Sequence, residues 1–441
     1  MLLGTISNPN CNEHRPKLMP NRKKAPTIKD IEKLHLPDIP VHRLDNGMPL
    51  YEIQMGTQEV VKLEVAFLAG RPFEHKPLAA RATAGMIKEG SRNYSAHQIA
   101  DQMDFYGCSL SFPFHMDTSN AILYSLSKHF GKALPLLADM LAAPAFPEDE
   151  LKAFIRRNQR KLEVDLSKND VVAYRQITEL LFGAHHPYGY NSYPETYATL
   201  NREDLAGHFN RRYNSSNCAA FLSGKAGPDV LKMVNESLSQ AIQPGQAATT
   251  SMPACPEQPE AQKITRPDTV QAAIRIGRRL FNRHHPDYCG MYVLNTILGG
   301  YFGSRLMANI REEKGYTYNI YSMLDAMHYD GCFYVGTEVG NEFVGDTLKQ
   351  IYQEMEDLRE EPVDEEELSM VRNYLMGNFL TMLDGPFNVS EVVRTQVMEG
   401  LPMDYFENMT EKVRTITAAE LQSLAQRYFR REDMWEVVVG V

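Results

Sequence analysis

The chain has 441 residues, and its 46 Lys and Arg residues against 56 Asp and Glu residues give a net charge of −10. Hydrophobic residues make up 43% and charged residues 23% of the sequence, which is typical of a water-soluble globular protein of more than one domain. The negative charge argues against nucleic acid as a partner. No apolar run reaches the roughly 18 residues that a membrane-spanning helix needs, so we expect no membrane span.

The amino-terminal region predicts a tail and a compartment. A basic cluster, Arg22 to Lys24, follows a weakly apolar start, which is the wrong order for a signal peptide. We therefore expect residues 1–40 to form a flexible tail and the protein to be cytoplasmic, with a periplasmic or organellar location left open. The six cysteines are scattered without a CxxC pair, which favours a reducing compartment over disulfides or a zinc ribbon.

The first half mixes strand and helix patterns. Ser95 and Gln98 form a capping box that opens a helix ending near Gly107. Alternation predicts strands, and helical periodicity predicts helices. The strands are Val60–Phe67, Ser109–His115, Ala121–Ser127 and Cys218–Leu222; the helices are Leu78–Lys88, Lys132–Ala143, Glu148–Leu166, Val171–Phe182 and Asp204–Tyr213.

The second half repeats the first. Val270–Ile276 alternates like the first long strand, and Pro286–Leu298 is a helix at the matching place. FPEDELKAFIRRNQ matches EPVDEEELSMVRNY about 215 residues later, a spacing that indicates a duplicated domain. We predict an α+β fold of two homologous domains, 41–235 and 263–441, each an antiparallel sheet packed with helices, joined by a Pro- and Ala-rich linker at 236–262.

The segment Ile297–Ser322 contains the strongest candidate site. Ser304 is a predicted N-cap, Leu306, Met307 and Ile310 form the buried face of a helix, and Gly315 is its predicted stop. Tyr316 to Tyr321 alternates like a strand, so Arg311 at the helix end and Tyr318 early in the strand are expected to point to the same place.

Two further features of the sequence suggest ligands and are interpreted otherwise. Gly299, Gly300 and Gly303 are followed by no phosphate-binding motif, so we interpret them as a turn that allows backbone and substrate to approach closely. The pairs His185–His186 and His284–His285 are adjacent in sequence, so their rings diverge in regular structure, and we expect neither pair to bind a metal.

The duplication and the run GGYFGSRLMANIREEKGYTY resemble the M16 metallopeptidases, the insulinase, pitrilysin and mitochondrial-processing-peptidase family. The resemblance covers about residues 41–441. It implies that the two domains form half of a clamshell. Active members carry an HxxEH zinc motif on a helix of the first half and a third zinc ligand, a glutamate, on a later helix.

Every position of that zinc motif has changed in this sequence. In LAARATAGMIKEGS the histidine positions hold Arg81 and Gly85, and the glutamate position holds Ala84. The third ligand position holds Lys161, or its neighbour Arg160. Since cations repel a zinc ion, we expect no metal or other cofactor in this chain.

The resemblance assigns the remaining function to the second half. In the family an Arg and a Tyr face the zinc across the closed shell and hold the substrate; here they are Arg311 and Tyr318. We therefore predict a non-catalytic subunit of a heterodimeric zinc peptidase, whose partner carries HxxEH and the zinc and whose substrate is a peptide or unfolded polypeptide. The alternatives are a structural or peptide-docking protein without catalysis, or a homodimer.

Overall fold

Two β-sheets, one from each half of the sequence, organise the structure, a computed structural model that describes residues 31, 33–267 and 269–440. Six strands form the first sheet in the order β1-β2-β6-β3-β5-β4, and five form the second in the order β7-β11-β8-β10-β9. The strands are β1 Val41–Arg43, β2 Pro49–Gln54, β3 Val60–Phe67, β4 Ser109–Ser111, β5 Ser119–Leu126, β6 Cys218–Gly224, β7 Ala261–Ile264, β8 Gln271–Leu280, β9 Ile320–Ala326, β10 Gly331–Gly340 and β11 Trp435–Val439.

Helices pack around both sheets, so the fold class is α+β as predicted. They are α1 Ala79–Ile87, α2 Ala96–Tyr106, α3 Ser127–Ala142, α4 Glu148–Leu166, α5 Asn169–Phe182, α6 Pro194–Ala198, α7 Arg202–Arg212, α8 Pro228–Ala241, α9 Tyr288–Asn295, α10 Val344–Glu360, α11 Glu365–Met382, α12 Pro386–Glu399, α13 Tyr405–Thr415 and α14 Ala418–Tyr428. Thr296–Gly300 and Met307–Glu313 are π-helical.

The two sheets have the same topology. Without β1, the first sheet runs β2-β6-β3-β5-β4, and the second runs β7-β11-β8-β10-β9. In each sheet the first pair of this order is parallel and the other pairs are antiparallel. The sheets are therefore mixed rather than purely antiparallel, and their agreement is what a duplicated unit predicts.

Each half contributes a helix to the core of the other half. Ala173, Ile177 and Leu181 on α5 are fully buried against residues of β8, β10 and β11. Val389 and Val393 on α12 are fully buried against β2, β3 and β6. Residues 33–441 accordingly form one compact unit.

Charged residues also join α12 to the first sheet. The Lys62 and Glu64 side chains on β3 are each only 1% exposed, and Lys62 Nζ lies 2.8 Å from Glu64 Oε2. Lys62 also pairs with Glu391, and Arg394 Nε lies 3.3 Å from Glu64 Oε1. A buried charge without a partner is costly, so this network ties the two elements together.

Several predicted bounds differ from the structure. The strand predicted at Ser109–His115 ends at Ser111, because Pro113 has no N–H for a ladder and the chain turns where the His115 N–H donates to the Thr118 carbonyl. The helix predicted from Lys132 begins at Ser127. The predicted linker, 236–262, contains the end of α8 and the start of β7, and residues 242–260 have no helix or strand.

The predicted tail lies mostly outside the described residues, which exclude 1–30. Residues 33–40 have neither helix nor strand, but Leu34 is buried and the Leu36 N–H donates to Glu407 Oε1 at 2.8 Å. Among the described residues, no helix combines the length and apolar character that crossing a bilayer requires. The cytoplasmic location stays a prediction.

Candidate functional site

The helix predicted within Ile297–Ser322 is present and is wound unusually. Its body, Met307–Glu313, is π-helical. This form is rare in proteins, and where it occurs it often lies at a functional site. Leu306, Met307 and Ile310 are buried as predicted. Gly315 has φ +68°, which suits the predicted stop because a glycine adopts this conformation without strain.

The side chain of Ser304, the predicted N-cap, does not cap the helix. The Ser304 carbonyl accepts from the Ala308 N–H at 2.9 Å, but the Ser304 hydroxyl is buried without a hydrogen-bond partner among the described residues. Instead, the first turn is fixed by Arg305, which donates to both carboxylate oxygens of Glu367 at 3.0 and 2.7 Å. This bidentate pair holds the helix against α11.

Arg311 is clamped between two aromatic rings. Its guanidinium carbon lies 4.9 Å from the centroid of the Tyr318 ring and 4.9 Å from that of Phe302. Both rings are exposed, Tyr318 by 86% and Phe302 by 61%. Arg311 makes no hydrogen bond or ion pair with any described residue, so its N–H donors are free for a ligand while the cation–π contacts hold its plane.

Tyr318 lies in a loop, two residues before β9, and not in the strand as predicted. The loop is nevertheless fixed on both sides of the ring. The Tyr316 hydroxyl donates to Asp346 at 3.0 Å, and its ring stacks on Phe343. The Thr317 hydroxyl donates to the Glu338 carbonyl at 2.7 Å. An exposed phenol on an anchored loop can present its hydroxyl to a ligand.

The glycines of the turn have different surroundings. A Cβ at Gly299 would lie 2.5 Å from the Ser322 backbone N, so this glycine lets the turn pack against β9. Gly303 is exposed beside the Tyr301 ring, and Gly300 beside the Asn295 carbonyl. The close approach at Gly299 is to the chain itself. Phe302, within this turn, is the residue that the sequence interpretation missed, although an aromatic residue between glycines is a visible signal.

The three positions that the resemblance assigns to the HxxEH motif lie together on α1, and their side chains do not fit a metal. Arg81 is exposed, Ala84 is fully buried, and a Cβ added at Gly85 would lie 2.7 Å from Cε2 of Phe154 on α4. None of these residues offers a zinc ligand. The Phe154 ring also fills the space that a side chain at position 85 would need.

The third ligand position lies close to the same place. Lys168, which donates to Asp165 at 2.9 Å, lowers the pKa of Asp165, and the charges of Lys161 and Arg81 contribute to the same effect. Lys161 on α4 and Arg81 on α1 therefore both act electrostatically on the Asp165 carboxylate. The neighbouring Arg160 is exposed on the same helix.

Tertiary structure brings one of the paired histidines close to other ligand-type side chains. Nitrogen, sulfur and oxygen atoms of His186, Cys255 and Asp330 lie within 4.8 Å of one another, and such atoms can bind zinc. His186 Nδ1 accepts from the Tyr188 N–H at 3.1 Å, and Asp330 pairs with Arg279 at 2.7 Å. Because Nδ1 is an acceptor, the neutral ring carries its proton on Nε2, which opposes metal binding there.

Comparison with known proteins agrees with the geometry. Residues 199–375 match the family described as "Peptidase M16 inactive domain". This match includes the segment Ile297–Ser322 and supports the resemblance to the M16 peptidase family. Among curated relatives, the chain is 24% identical over 304 residues to "Uncharacterized zinc protease YmxG" of Bacillus subtilis, covering 68% of this chain and 73% of that protein. It is 21% identical over 368 residues to "Non-peptidase homolog YmxG" of Helicobacter pylori, covering 82% and 84%.

Solved structures share the fold. A peptidase M16 inactive domain from Pseudomonas fluorescens superposes with a TM-score of 0.84 at 22% identity, covering 92% of this chain and 98% of that one. A protease from Helicobacter pylori superposes with a TM-score of 0.84 at 14% identity, covering 92% and 100%. At these identities the likeness establishes the M16 fold alone.

Proposed function

We propose that this chain is the non-catalytic subunit of a heterodimeric M16 zinc peptidase. A partner chain carries HxxEH and the zinc ion, and this chain contributes Arg311 and Tyr318 to the partner's site. The observation that carries the proposal is the clamp of Arg311 between Phe302 and Tyr318, with no described ion pair to neutralise it.

The chemistry of the two side chains suits peptide hydrolysis. A guanidinium is permanently charged and can donate to a substrate carbonyl in a fixed plane. A phenol hydroxyl can donate to the oxyanion that forms when water attacks that carbonyl. The substrate would be a peptide or an unfolded segment, bound along an edge strand of the partner.

The absence of zinc-ligating side chains supports a site that is shared between two chains, with the zinc in the partner. Arg81, Ala84, Gly85 and Lys161 leave this chain without a metal site of the family type, while the Arg311–Tyr318 pair is intact. A relative described as a non-peptidase homolog is consistent with a chain that does not cleave by itself.

The test is reconstitution with an HxxEH-bearing M16 chain from the same organism. The isolated chain should cleave no peptide, and the pair should. Arg311→Ala or Tyr318→Phe should lower turnover by on the order of 10²-fold, as does the loss of other oxyanion donors. The Tyr318→Phe variant keeps the ring that stacks on Arg311, so it isolates the hydroxyl.

Lys314→Ala is the matched control, because it removes a positive charge from the same helix end without touching the clamp. Its turnover should stay within about twofold of the natural pair. Unchanged turnover in both Arg311→Ala and Tyr318→Phe would refute the catalytic role and would favour a structural or docking subunit.

A further inference from the structure

A second cluster of arginines lies in the first half, away from the Arg311 clamp. A cavity of about 280 Å³ is lined by Arg71, Arg81 and Arg175. Arg81 comes from α1, at a position where active M16 members have a zinc-binding histidine, and Arg175 comes from α5. None of the described residues that line this cavity belongs to the Ile297–Ser322 segment.

The three guanidinium groups have no ion-pair partner within the described part of the chain. Arg71 stacks on Tyr190, with its guanidinium carbon 3.6 Å from the ring centroid, and donates to the Tyr190 carbonyl at 2.5 Å. Arg175 donates to the Ser192 carbonyl at 2.5 Å. Neutral carbonyls and a ring hold these two groups in place, and no described carboxylate forms an ion pair with either of them.

The acids around the cavity are engaged with other groups: Asp165, whose pKa Arg81 helps to lower, accepts from Lys168 at 2.9 Å. Glu74 accepts from the Tyr190 hydroxyl and from the Ala80 N–H, and burial raises the pKa of Glu74 to about 7. Glu179 accepts from the Asn191 side chain at 2.7 Å. None of these three acids forms an ion pair with Arg71, Arg81 or Arg175 in the described structure, so the cavity keeps a cationic lining.

The rest of the lining selects the kind of anion. Leu78, Phe114 and Met116 give the cavity an apolar wall, which suits a ligand with a carbon frame and not an inorganic ion. Guanidinium groups match the planar geometry of a carboxylate. The volume is near the lower end for small-molecule sites, roughly 300 Å³, which is enough for about one amino-acid residue.

We propose that this cavity binds the free carboxylate of a peptide's C-terminal residue, with Arg81 and Arg175 as its cationic ligands. The site belongs to this chain alone and needs neither zinc nor a partner. In this position Arg81 replaces metal chemistry with recognition of an anion.

The test is calorimetric titration of the isolated full chain with three probes: the tripeptide Gly-Gly-Leu as its free acid, the same tripeptide as its amide, and inorganic phosphate. The free acid should bind at least tenfold more tightly than the amide and more tightly than phosphate. Arg81→Ala should weaken binding of the acid by about tenfold, since one charge-assisted hydrogen bond is lost. Arg81 is exposed on α1, so this variant should fold.

Lys88→Ala is the matched control, because it removes a positive charge from the end of the same helix outside the cavity. It should bind the acid as the natural chain does. Equal binding of acid and amide, tighter binding of phosphate than of the acid, unchanged binding by Arg81→Ala, or no binding of the acid at millimolar concentration would each overturn the proposal. Because no partner is present, the result is separate from that of the peptidase test.

Discussion

The ring of Phe154 on α4 packs against Gly85 on α1 so closely that a Cβ at position 85 would lie 2.7 Å from Phe154 Cε2. The space of a second zinc-binding histidine is thus filled by a neighbouring helix. We therefore expect that introducing the zinc ligands at these positions, without changing Phe154, does not create a metal site.

We therefore expect the triple variant Arg81→His, Ala84→Glu, Gly85→His to lose about 3 kcal/mol or more of unfolding free energy, because it overpacks against Phe154 and buries a carboxylate. It should bind no stoichiometric zinc. Urea unfolding and metal analysis check both points. Arg81→His alone, at an exposed position, is the control and should be neutral. If the triple variant were as stable as the natural chain and bound one zinc ion per chain, Phe154 would not block the metal site.

Phe302 should matter to activity and not to stability. Phe302→Ala removes one of the two rings that hold Arg311, a contact of about 0.5–1 kcal/mol, so turnover of the reconstituted pair should fall by about two- to fivefold. Peptide hydrolysis rates measure the effect. Phe105→Ala, which removes an even more exposed ring from α2, should change nothing. If Phe302→Ala and Phe105→Ala lowered turnover equally, the contact of Phe302 with Arg311 would not explain the effect.

Lys62 should be among the most sensitive positions of the fold. Lys62→Met leaves the buried Glu64 without its nearest cation and should cost about 3–5 kcal/mol of unfolding free energy. Chemical denaturation checks the value. Lys225→Met breaks an exposed pair with Glu59 and should stay within about 1 kcal/mol of the natural chain. A small loss in Lys62→Met would mean that Arg394 and Asn120 suffice for Glu64.

Glu74 should give the protein a pH-dependent stability. Burial raises the pKa of Glu74 from an ordinary 4.5 to about 7, so the folded state binds a proton that the unfolded state releases between these values. The contribution of Glu74 is therefore complete below pH 4.5 and is lost as the pH rises through 7.

The Glu74→Gln variant should not show this loss. The difference in unfolding free energy between the natural chain and Glu74→Gln, measured by denaturant at several pH values, should shift against the natural chain as the pH rises from 4.5 to 7. Glu195→Gln, at an exposed position, should give a flat difference. A flat difference for Glu74→Gln would show that Glu74 ionises normally.

Local sequence patterns predicted many of the helices and strands correctly. Val60–Phe67 and Glu148–Leu166 are a strand and a helix with the bounds that alternation and helical periodicity predict. The capping box of Ser95 and Gln98 is present. Tyr318 was placed wrongly in a strand, because alternation of side chains also occurs in an extended loop that pairs with no neighbour.

By itself, the sequence determined the chemistry of the candidate positions: Arg81, Ala84 and Gly85 carry no zinc-ligating side chain, whatever their surroundings. Only the tertiary structure decided what each position contacts. The exchange of α5 and α12 between the sheets, the Phe154 ring against Gly85, and the meeting of Arg71, Arg81 and Arg175 all join residues far apart in the chain. Periodicity specifies which face of an element is buried, but it does not specify the partner, because many apolar faces are equivalent until the whole core packs.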